Sequence, residues 1–312
     1  MSIQIGLPAV RRAAASVGLG ALFVLCWSSG FIGAKLGAGV APVTTVLMWR
    51  FLPLAVLLLP VLCRSVGDGV PIAEMRRQVL VGVLSQSGYL LSVYVAIGLG
   101  VSTGTTALID GSQPLVVAAL AGPLLGVAVR GRQWWGLGIG VLAVVLVTGA
   151  DAVHPSTVAP PWAYAIPFLG MLCLVAATFL ERRGVPLPPL RVLAIHCVTS
   201  AVIFTGVAFA NGTAVPPDSG GFWLALLWLI VLATFGGYGL YWGLIRRIGV
   251  TPVNTLMFLV PPVTGVWGAV MFGEPLTLVT GVGFGLAIVA VLLVVRAPGR
   301  TAGSWRKADD VQ

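Results

Sequence analysis

The feature of this sequence that most limits its fold is a series of apolar runs, each about twenty residues long. An α-helix needs this length to cross the hydrocarbon core of a bilayer. Only 9% of the 312 residues are charged, whereas a soluble domain carries roughly 25%, so the charges are too few to cover a water-exposed surface. The runs lack the apolar–polar alternation of barrel strands. The sequence therefore predicts an all-α integral membrane protein.

Ten such runs predict ten transmembrane helices. We place these spans at 17–37, 42–62, 77–99, 102–125, 133–150, 162–180, 190–210, 221–244, 250–273 and 276–296. The first run lacks a convincing cleavage site and is followed by nine others, so we interpret it as a span rather than a secretory signal.

The basic residues predict the orientation, because cytoplasmic loops of membrane proteins are enriched in Lys and Arg. With the N-terminus in the cytoplasm, only Lys35 falls in an outer loop and only Arg50 within a span, while the other basic residues fall on the cytoplasmic side. A missed span would invert every later loop. We therefore expect a multi-pass protein of the inner (cytoplasmic) membrane with both termini in the cytoplasm. These loops account for the net charge of +9, so no nucleic-acid partner is predicted.

The chain also repeats itself at an offset close to 147 residues. The matching pairs are Leu25-Cys26 with Leu172-Cys173, Gly88-Tyr89 with Gly237-Tyr238, Gly100-Val101 with Gly249-Val250, and Gly136, Gly138 and Gly140 with Gly281, Gly283 and Gly285. Each half would hold five spans, an odd number, so the second half would be inverted relative to the first. Inverted repeats are typical of secondary transporters.

The predicted organisation therefore has four parts. A first repeat occupies 1–150, a periplasmic linker 151–161, a second repeat 162–296 and a cytoplasmic tail 297–312.

Ionisable residues inside spans are costly and usually functional or paired. Arg50 and Asp110 each lie about eight residues into a span from the outer side, which is roughly 12 Å at 1.5 Å per residue. Their matched depth predicts an Arg50–Asp110 ion pair. Asp110 and His196 are also candidates for proton coupling, although a lone His is often bonded to a neighbouring carbonyl.

Polar and aromatic residues at similar depth predict a substrate cavity around this pair. They are Trp27, Gln86, Tyr89 and Gln113 in the first half and Tyr238 in the second. This mixture suits an amphipathic organic solute better than a bare ion. The alternative is that these side chains only hold helices together through hydrogen bonds.

Glycines at small-xxx-small spacing predict close helix packing at Gly136, Gly140, Gly281 and Gly285. The matched helices could pack on each other or form a homodimer face. The sequence has no catalytic motif, phosphate-binding loop or metal-binding Cys/His spacing. We therefore predict no enzyme activity, no cofactor and no metal, with a small-molecule substrate and the lipid bilayer as partners.

Four segments resemble the EamA-type branch of the drug/metabolite transporter superfamily. They are CWSSGFIGAKLG, APVTTVLMWRF, YVAIGLGVSTGTTALIDGSQP and MFGEPLTLVTGVGFGLAI, and the likeness runs from about Ser16 to Arg296. The resemblance implies ten spans in two inverted five-helix repeats, and export of amino acids, other metabolites or toxic compounds. The family pattern maps onto Trp27, Arg50, Pro114, Gly273, Glu274 and Pro275.

The sequence departs from the family at one point. The Gly-Glu pair at the end of the ninth span usually has a counterpart at the end of the fourth, where this chain has Val129-Arg130. Glu274 itself falls in an outer turn, where capping of a helix is a sufficient explanation.

These observations predict a secondary transporter that exports a small organic metabolite, an amino acid or a related compound, by alternating access. A proton-coupled drug or cation efflux pump and a metabolite importer are alternatives. A non-transporting membrane sensor or scaffold is the alternative from another class.

Overall fold

The computed structural model describes residues 7–125, 131–182 and 184–295, and helices are its regular elements there. In chain order they are α1 (Leu7–Ala38), α2 (Val43–Gly67), α3 (Ile72–Gly98), α4 (Thr103–Gly111), α5 (Gln113–Leu125), α6 (Gly131–Ala152), α7 (Pro161–Glu181), α8 (Pro189–Ala210), α9 (Gly220–Ile248), α10 (Pro252–Phe272) and α11 (Leu278–Val295). Val129, Arg130, Arg183, Arg296 and the predicted cytoplasmic tail lie outside the described residues.

Eight of these helices are long and apolar enough to cross a membrane. The predicted fourth span is divided, because α4 ends at Gly111 and α5 begins at Gln113. Pro114 accounts for the division, since it has no N–H to continue the hydrogen-bond ladder of α4. The last helix, α11, is apolar but shorter. The all-α membrane architecture is thus confirmed, whereas the count of ten crossings stays a prediction.

Helices of one half pack on their counterparts in the other half. α2 lies along α8, where the rings of Phe51 and Phe204 stack with centroids 5.9 Å apart. α6 lies along α11 in the same way, and α4 packs on the second half of α10. Because counterparts pair with each other, the two halves share one interface that runs through the whole bundle.

Two π-helical segments give the halves a reciprocal contact. They are Val83–Gly88 within α3 and Leu229–Gly236 within α9. Gly88 packs against Cys173 of α7, and Gly236 packs against Cys26 of α1. Cys26 and Cys173 are repeat counterparts, so each half inserts the same helix against the π segment of the other. Such segments are frequent at functional sites.

The glycines of α6 and α11 differ in what they contact. A Cβ at Gly136 would lie 2.8 Å from the carbonyl oxygen of Ala290, and a Cβ at Gly140 would lie 3.5 Å from the Cβ of Ala290. At Gly281 and Gly285 the structure differs from the prediction, since no described atom lies within 4 Å of an added Cβ. Gly283 makes the close approach instead, because a Cβ added there would lie 3.3 Å from the carbonyl oxygen of Ala143. Gly283 is two residues from both Gly281 and Gly285, which places it on nearly the opposite face of the helix.

Candidate functional site

Arg50 of α2 places a buried guanidinium in the middle of the bundle. It is 5% exposed, its Nη1 donates to the hydroxyl of Tyr94 at 2.6 Å, and its Nη2 donates to Oγ1 of Thr234 at 3.2 Å. The Nε is buried and has no partner among the described residues. No described carboxylate lies within ion-pair distance of it. A buried charge without a counter-ion is strongly unfavourable, so this guanidinium is suited to bind an anion.

Asp110, at the end of α4, is not the counter-ion. Its Oδ2 accepts a hydrogen bond from the hydroxyl of Tyr89 at 2.8 Å, and its Oδ1 is buried without a partner among the described residues. The direct Arg50–Asp110 ion pair predicted from matched depth is therefore not formed. Depth along two spans does not specify the rotation of either helix, and here Tyr89 takes the position next to Asp110.

A cavity lies beside Arg50, and we call it the central cavity. Its walls come from α1, α2, α3 and α9. The lining residues are Trp27, Gly30, Phe31, Arg50, Ser85, Tyr89, Leu90, Val93, Tyr94, Ala233 and Tyr238. Four of the residues predicted from the sequence, Trp27, Arg50, Tyr89 and Tyr238, are thus brought together by both halves of the chain.

One wall of the central cavity is aromatic. The rings of Trp27 and Tyr238 lie 5.6 Å apart, and Phe23 and Tyr241 pack behind Trp27 at 5.6 and 5.9 Å. Tilted ring pairs at such distances stabilise each other beyond the burial of their area. This packed aromatic wall faces a cavity that also holds the Arg50 charge and several hydroxyl groups.

Two predicted cavity residues bind protein groups instead. Gln113 donates to Oγ1 of Thr178 at 2.9 Å and so links α5 to α7. Gln86 points its Nε2 at the Sγ of Cys197 at 3.7 Å, and its Oε1 is buried without a partner among the described residues. Cys197 is the repeat counterpart of Arg50. The second half therefore has a thiol where the first half has the guanidinium.

His196 belongs to a separate polar cluster between α3, α7 and α8. Its Nε2 lies 3.1 Å from Oε1 of Gln78, whose Nε2 donates to Glu181 at 3.1 Å. Arg77 pairs with Glu74 and donates to the carbonyl oxygen of Glu181 at 3.0 Å. We call Glu74, Arg77, Gln78, Glu181 and His196 the inner cluster. His196 does not line the central cavity, and the structure does not bring it to Asp110.

Three residues of the site were not predicted from the sequence. Tyr94 and Thr234 hold the guanidinium of Arg50, and Ser85 lines the cavity. Ser85 and Thr234 fall within the two π segments, where the regular helical spacing used to assign faces does not apply. Tyr94 carried a detectable signal, since a tyrosine inside a span usually needs a hydrogen-bond partner.

Comparisons with known proteins match nearly the whole chain. The model of the EamA-like transporter family matches residues 15–149 and again residues 161–296. The chain is 24% identical over 281 residues to the "Uncharacterized inner membrane transporter YedA" of Escherichia coli strain K12, covering 88% of this chain and 89% of that protein. The proteins of the same name from E. coli O6:H1 and O157:H7 match equally well.

A solved structure shares the fold. It is titled "Crystal structure of protein" and superposes with a TM-score of 0.60 at 18% identity, over 90% of this chain and 97% of that chain. At this identity the likeness extends to the architecture alone.

Proposed function

The chain belongs to the EamA-like transporter family of the drug/metabolite transporter superfamily, and from this premise we propose that it is a secondary transporter that exports a small organic metabolite with an anionic group. An amino acid or a related compound has the required chemistry. The transporter would act across the inner (cytoplasmic) membrane by alternating access, with both termini in the cytoplasm.

The buried guanidinium of Arg50 carries the proposal. It is oriented by Tyr94 and Thr234 but has no carboxylate partner among the described residues. A carboxylate that enters the central cavity would supply the missing negative charge and could bond the free Nε. A cationic solute would instead meet a like charge, so this observation favours a metabolite anion or zwitterion over a cationic drug.

The remaining walls fit the rest of such a molecule. The Trp27–Tyr238 wall would pack against an apolar or aromatic part of the solute. Asp110, although predicted as a cavity residue, does not line the central cavity. It binds the hydroxyl of Tyr89, which does line it, so Asp110 would act on the solute through Tyr89. Export is the direction that the family resemblance implies.

The two repeats support the mechanism. Two similar halves of opposite orientation can exchange conformations around a fixed site and open it to either side in turn. Here Arg50 of the first repeat donates a hydrogen bond to Thr234 of the second. The site therefore lies between the halves, and this contact would change when they move relative to each other.

The test compares metabolites inside and outside cells that overproduce the wild type or the Arg50→Gln variant. We expect the medium of wild-type cells to gain one or a few anionic or zwitterionic compounds that Arg50→Gln cells retain. Arg64→Gln is the matched control, because Arg64 lies on the same helix but is exposed, and it should export like the wild type. The purified protein in liposomes should then move the compound identified.

Two outcomes would overturn the proposal. Wild-type export of the compound by Arg50→Gln would remove the role of the guanidinium. Liposomes that move none of the enriched compounds would favour the sensor or scaffold alternative.

A further inference from the structure

Glu274, directly after α10 and Gly273, binds two elements of the first repeat. Its Oε2 accepts hydrogen bonds from the backbone N–H of Thr103 at 2.9 Å and from the Thr103 hydroxyl at 2.6 Å. Nζ of Lys35 lies 3.1 Å from Oε1, in ion-pair contact but without hydrogen-bond geometry. We call Lys35, Thr103 and Glu274 the outer latch. Glu274 thus caps a helix, and that helix belongs to the other repeat.

Beneath the outer latch, α4 and α10 are in backbone contact. A Cβ at Gly104 would lie 2.7 Å from the Cα of Gly265, and a Cβ at Gly111 would lie 3.0 Å from Cγ of Pro261. The other parts of the same two predicted spans, Gln113–Leu125 and Val250–Leu256, make no comparable contact within the described residues. The two spans are therefore closed at the latch end and apart at the other end, which the basic loops predict to be cytoplasmic.

The repeat shows what a second latch at the cytoplasmic end would contain. Lys35 corresponds to Arg182 and Thr103 to Pro252, and the place of Glu274 is taken by Val129-Arg130. Pro252 has neither an amide hydrogen nor a hydroxyl to donate. Arg130 would add a positive charge next to another positive charge, where the outer latch has a carboxylate. The sequence therefore provides no inner counterpart of the latch.

We infer that the outer latch locks the outer gate and biases the empty transporter towards the conformation with its cavity facing the cytoplasm. The inference rests on the proposed alternating-access function. An interaction shifts a conformational equilibrium only if it exists in one state and not in the other. The outer latch meets this condition, because its contacts break when α4 separates from α10. When the inner ends of the same two spans close, no equivalent interaction forms. Glu274 is a positioning residue that acts through α4. An empty exporter whose cavity faces the cytoplasm can bind its substrate there.

The test measures access to a thiol behind the latch. In a variant whose four native cysteines are alanine, Thr264→Cys places a reporter on α10 at a position that is 0% exposed. A membrane-impermeant maleimide added outside the cell should label it slowly. Adding Glu274→Gln should raise that rate at least about tenfold, because the carboxylate that binds both Thr103 and Lys35 loses its charge. Lys35→Met should raise it less, since both Thr103 bonds remain, and Lys35→Arg should leave it slow.

Two controls separate a lock from general stability. Asp151→Asn weakens the acceptor that Ser102 N–H binds at 3.2 Å, at the same end of α4 but from α6 in the same repeat. Glu74→Gln removes a buried carboxylate from the inner cluster. Neither should speed labelling of Thr264→Cys from outside.

A second reporter distinguishes gating from unfolding. Asn254→Cys, exposed near the start of α10, should become less reactive from the cytoplasmic side when Glu274→Gln is added. Unchanged outer labelling by Glu274→Gln, equal acceleration by Asp151→Asn, or faster labelling of both reporters would each overturn the inference.

The outcomes also separate the inference from the proposed function. If Glu274→Gln shifts both reporters as expected while no compound is moved, the latch stands and the transport proposal fails. If export depends on Arg50 and the reporters do not shift, the latch alone fails.

Discussion

The guanidinium of Arg50 is oriented by two hydroxyl groups from two different helices. Tyr94 belongs to α3 of the first repeat and Thr234 to α9 of the second. Hydroxyls fix the direction of a cation without neutralising it, so the charge remains available to a ligand. The Phe51 ring, 5.3 Å from Cζ of Arg50, adds a further contact that leaves the charge in place.

Removing these hydroxyls should weaken substrate binding more than folding. We expect Tyr94→Phe and Thr234→Val each to raise the KM for an anionic substrate about tenfold, since a hydrogen bond to a charged group contributes about 1.5–3 kcal/mol. Transport kinetics in liposomes measure this. Thr205→Val is the matched control, because Oγ1 of Thr205 is buried without a partner among the described residues, and its KM should not change. An equal rise for all three variants would contradict the role of the two hydroxyls.

Asp110 allows a direct test of proton coupling. Asp110→Asn can still accept the Tyr89 hydrogen bond but cannot exchange a proton. If Asp110 couples transport to the proton gradient, the variant should keep substrate exchange between the two sides of the membrane and lose its dependence on a pH difference. Flux measured in liposomes with and without a pH gradient decides this. A gradient dependence identical to that of the wild type would exclude the role. His196→Gln is the comparison, because His196 lies in the inner cluster and this variant should keep the gradient dependence.

At the scale of helices, α6 and α11 show how similar sequences reach different environments. Both carry three glycines at alternate positions. In α6 the glycines that contact α11 are Gly136 and Gly140, whereas in α11 the glycine that contacts α6 is Gly283. The two helices therefore meet with different faces, although they are repeat counterparts. Gly281 and Gly285 are exposed, and a homodimer through this face remains a prediction.

Counterpart glycines should therefore respond differently to the same substitution. Gly136→Ala places a Cβ 2.8 Å from the Ala290 carbonyl oxygen, and such overpacking typically costs about 1–3 kcal/mol. Gly281→Ala meets open space and should be neutral. Thermal unfolding of the detergent-solubilised monomer measures both. Equal destabilisation would contradict the packing of α6 on α11, and a loss of dimers caused by Gly281→Leu would support the homodimer.

At the scale of the whole molecule, the arrangement of the halves is reciprocal. α1 lies on the π segment of α9 and α7 lies on the π segment of α3, with a cysteine at the contact each time. Within the described residues the scaffold is therefore nearly two-fold, while the buried Arg50 charge and the outer latch each occur once.

The native cysteines can test this arrangement. A Cβ at Gly88 would lie 3.8 Å from the Cβ of Cys173, within the range of about 3.5–4.5 Å found in disulfides. We expect Gly88→Cys to form a disulfide with Cys173 on oxidation, and Gly236→Cys to form one with Cys26. After cleavage at a protease site placed in the 154–160 loop, the halves should stay linked on a non-reducing gel. Gly239→Cys has no described atom within 4 Å of its Cβ and should leave them separate, as should Gly88→Cys combined with Cys173→Ala.

The orientation can be tested with two exposed positions. The basic loops place Ser156 outside and Arg246 inside. In the cysteine-free variant, Ser156→Cys should be labelled by an impermeant maleimide in intact cells, and Arg246→Cys only after the membrane is opened. The reverse result would invert the predicted topology, and labelling of both in intact cells would contradict the number of crossings between them.

Several features of this protein are properties of chain segments, and the sequence determined them by itself. Apolar length and scarce charge required membrane-embedded helices, since no other structure satisfies the backbone in lipid. The collinear matches between the halves revealed the two repeats, which the family comparison also finds. The rarity of buried charge directed attention to Arg50, and the aromatic residues near it, Trp27, Tyr89 and Tyr238, line the same cavity.

Other features depend on how helices are rotated against each other, and only the tertiary structure decided them. Arg50 binds Thr234, which lies in the π segment of α9, rather than Asp110. Gly283 rather than Gly281 meets α6, and Glu274 closes on Thr103 of the other repeat. Each of these contacts joins groups more than a hundred residues apart, and periodicity within one helix carries no information about the rotation of its partner.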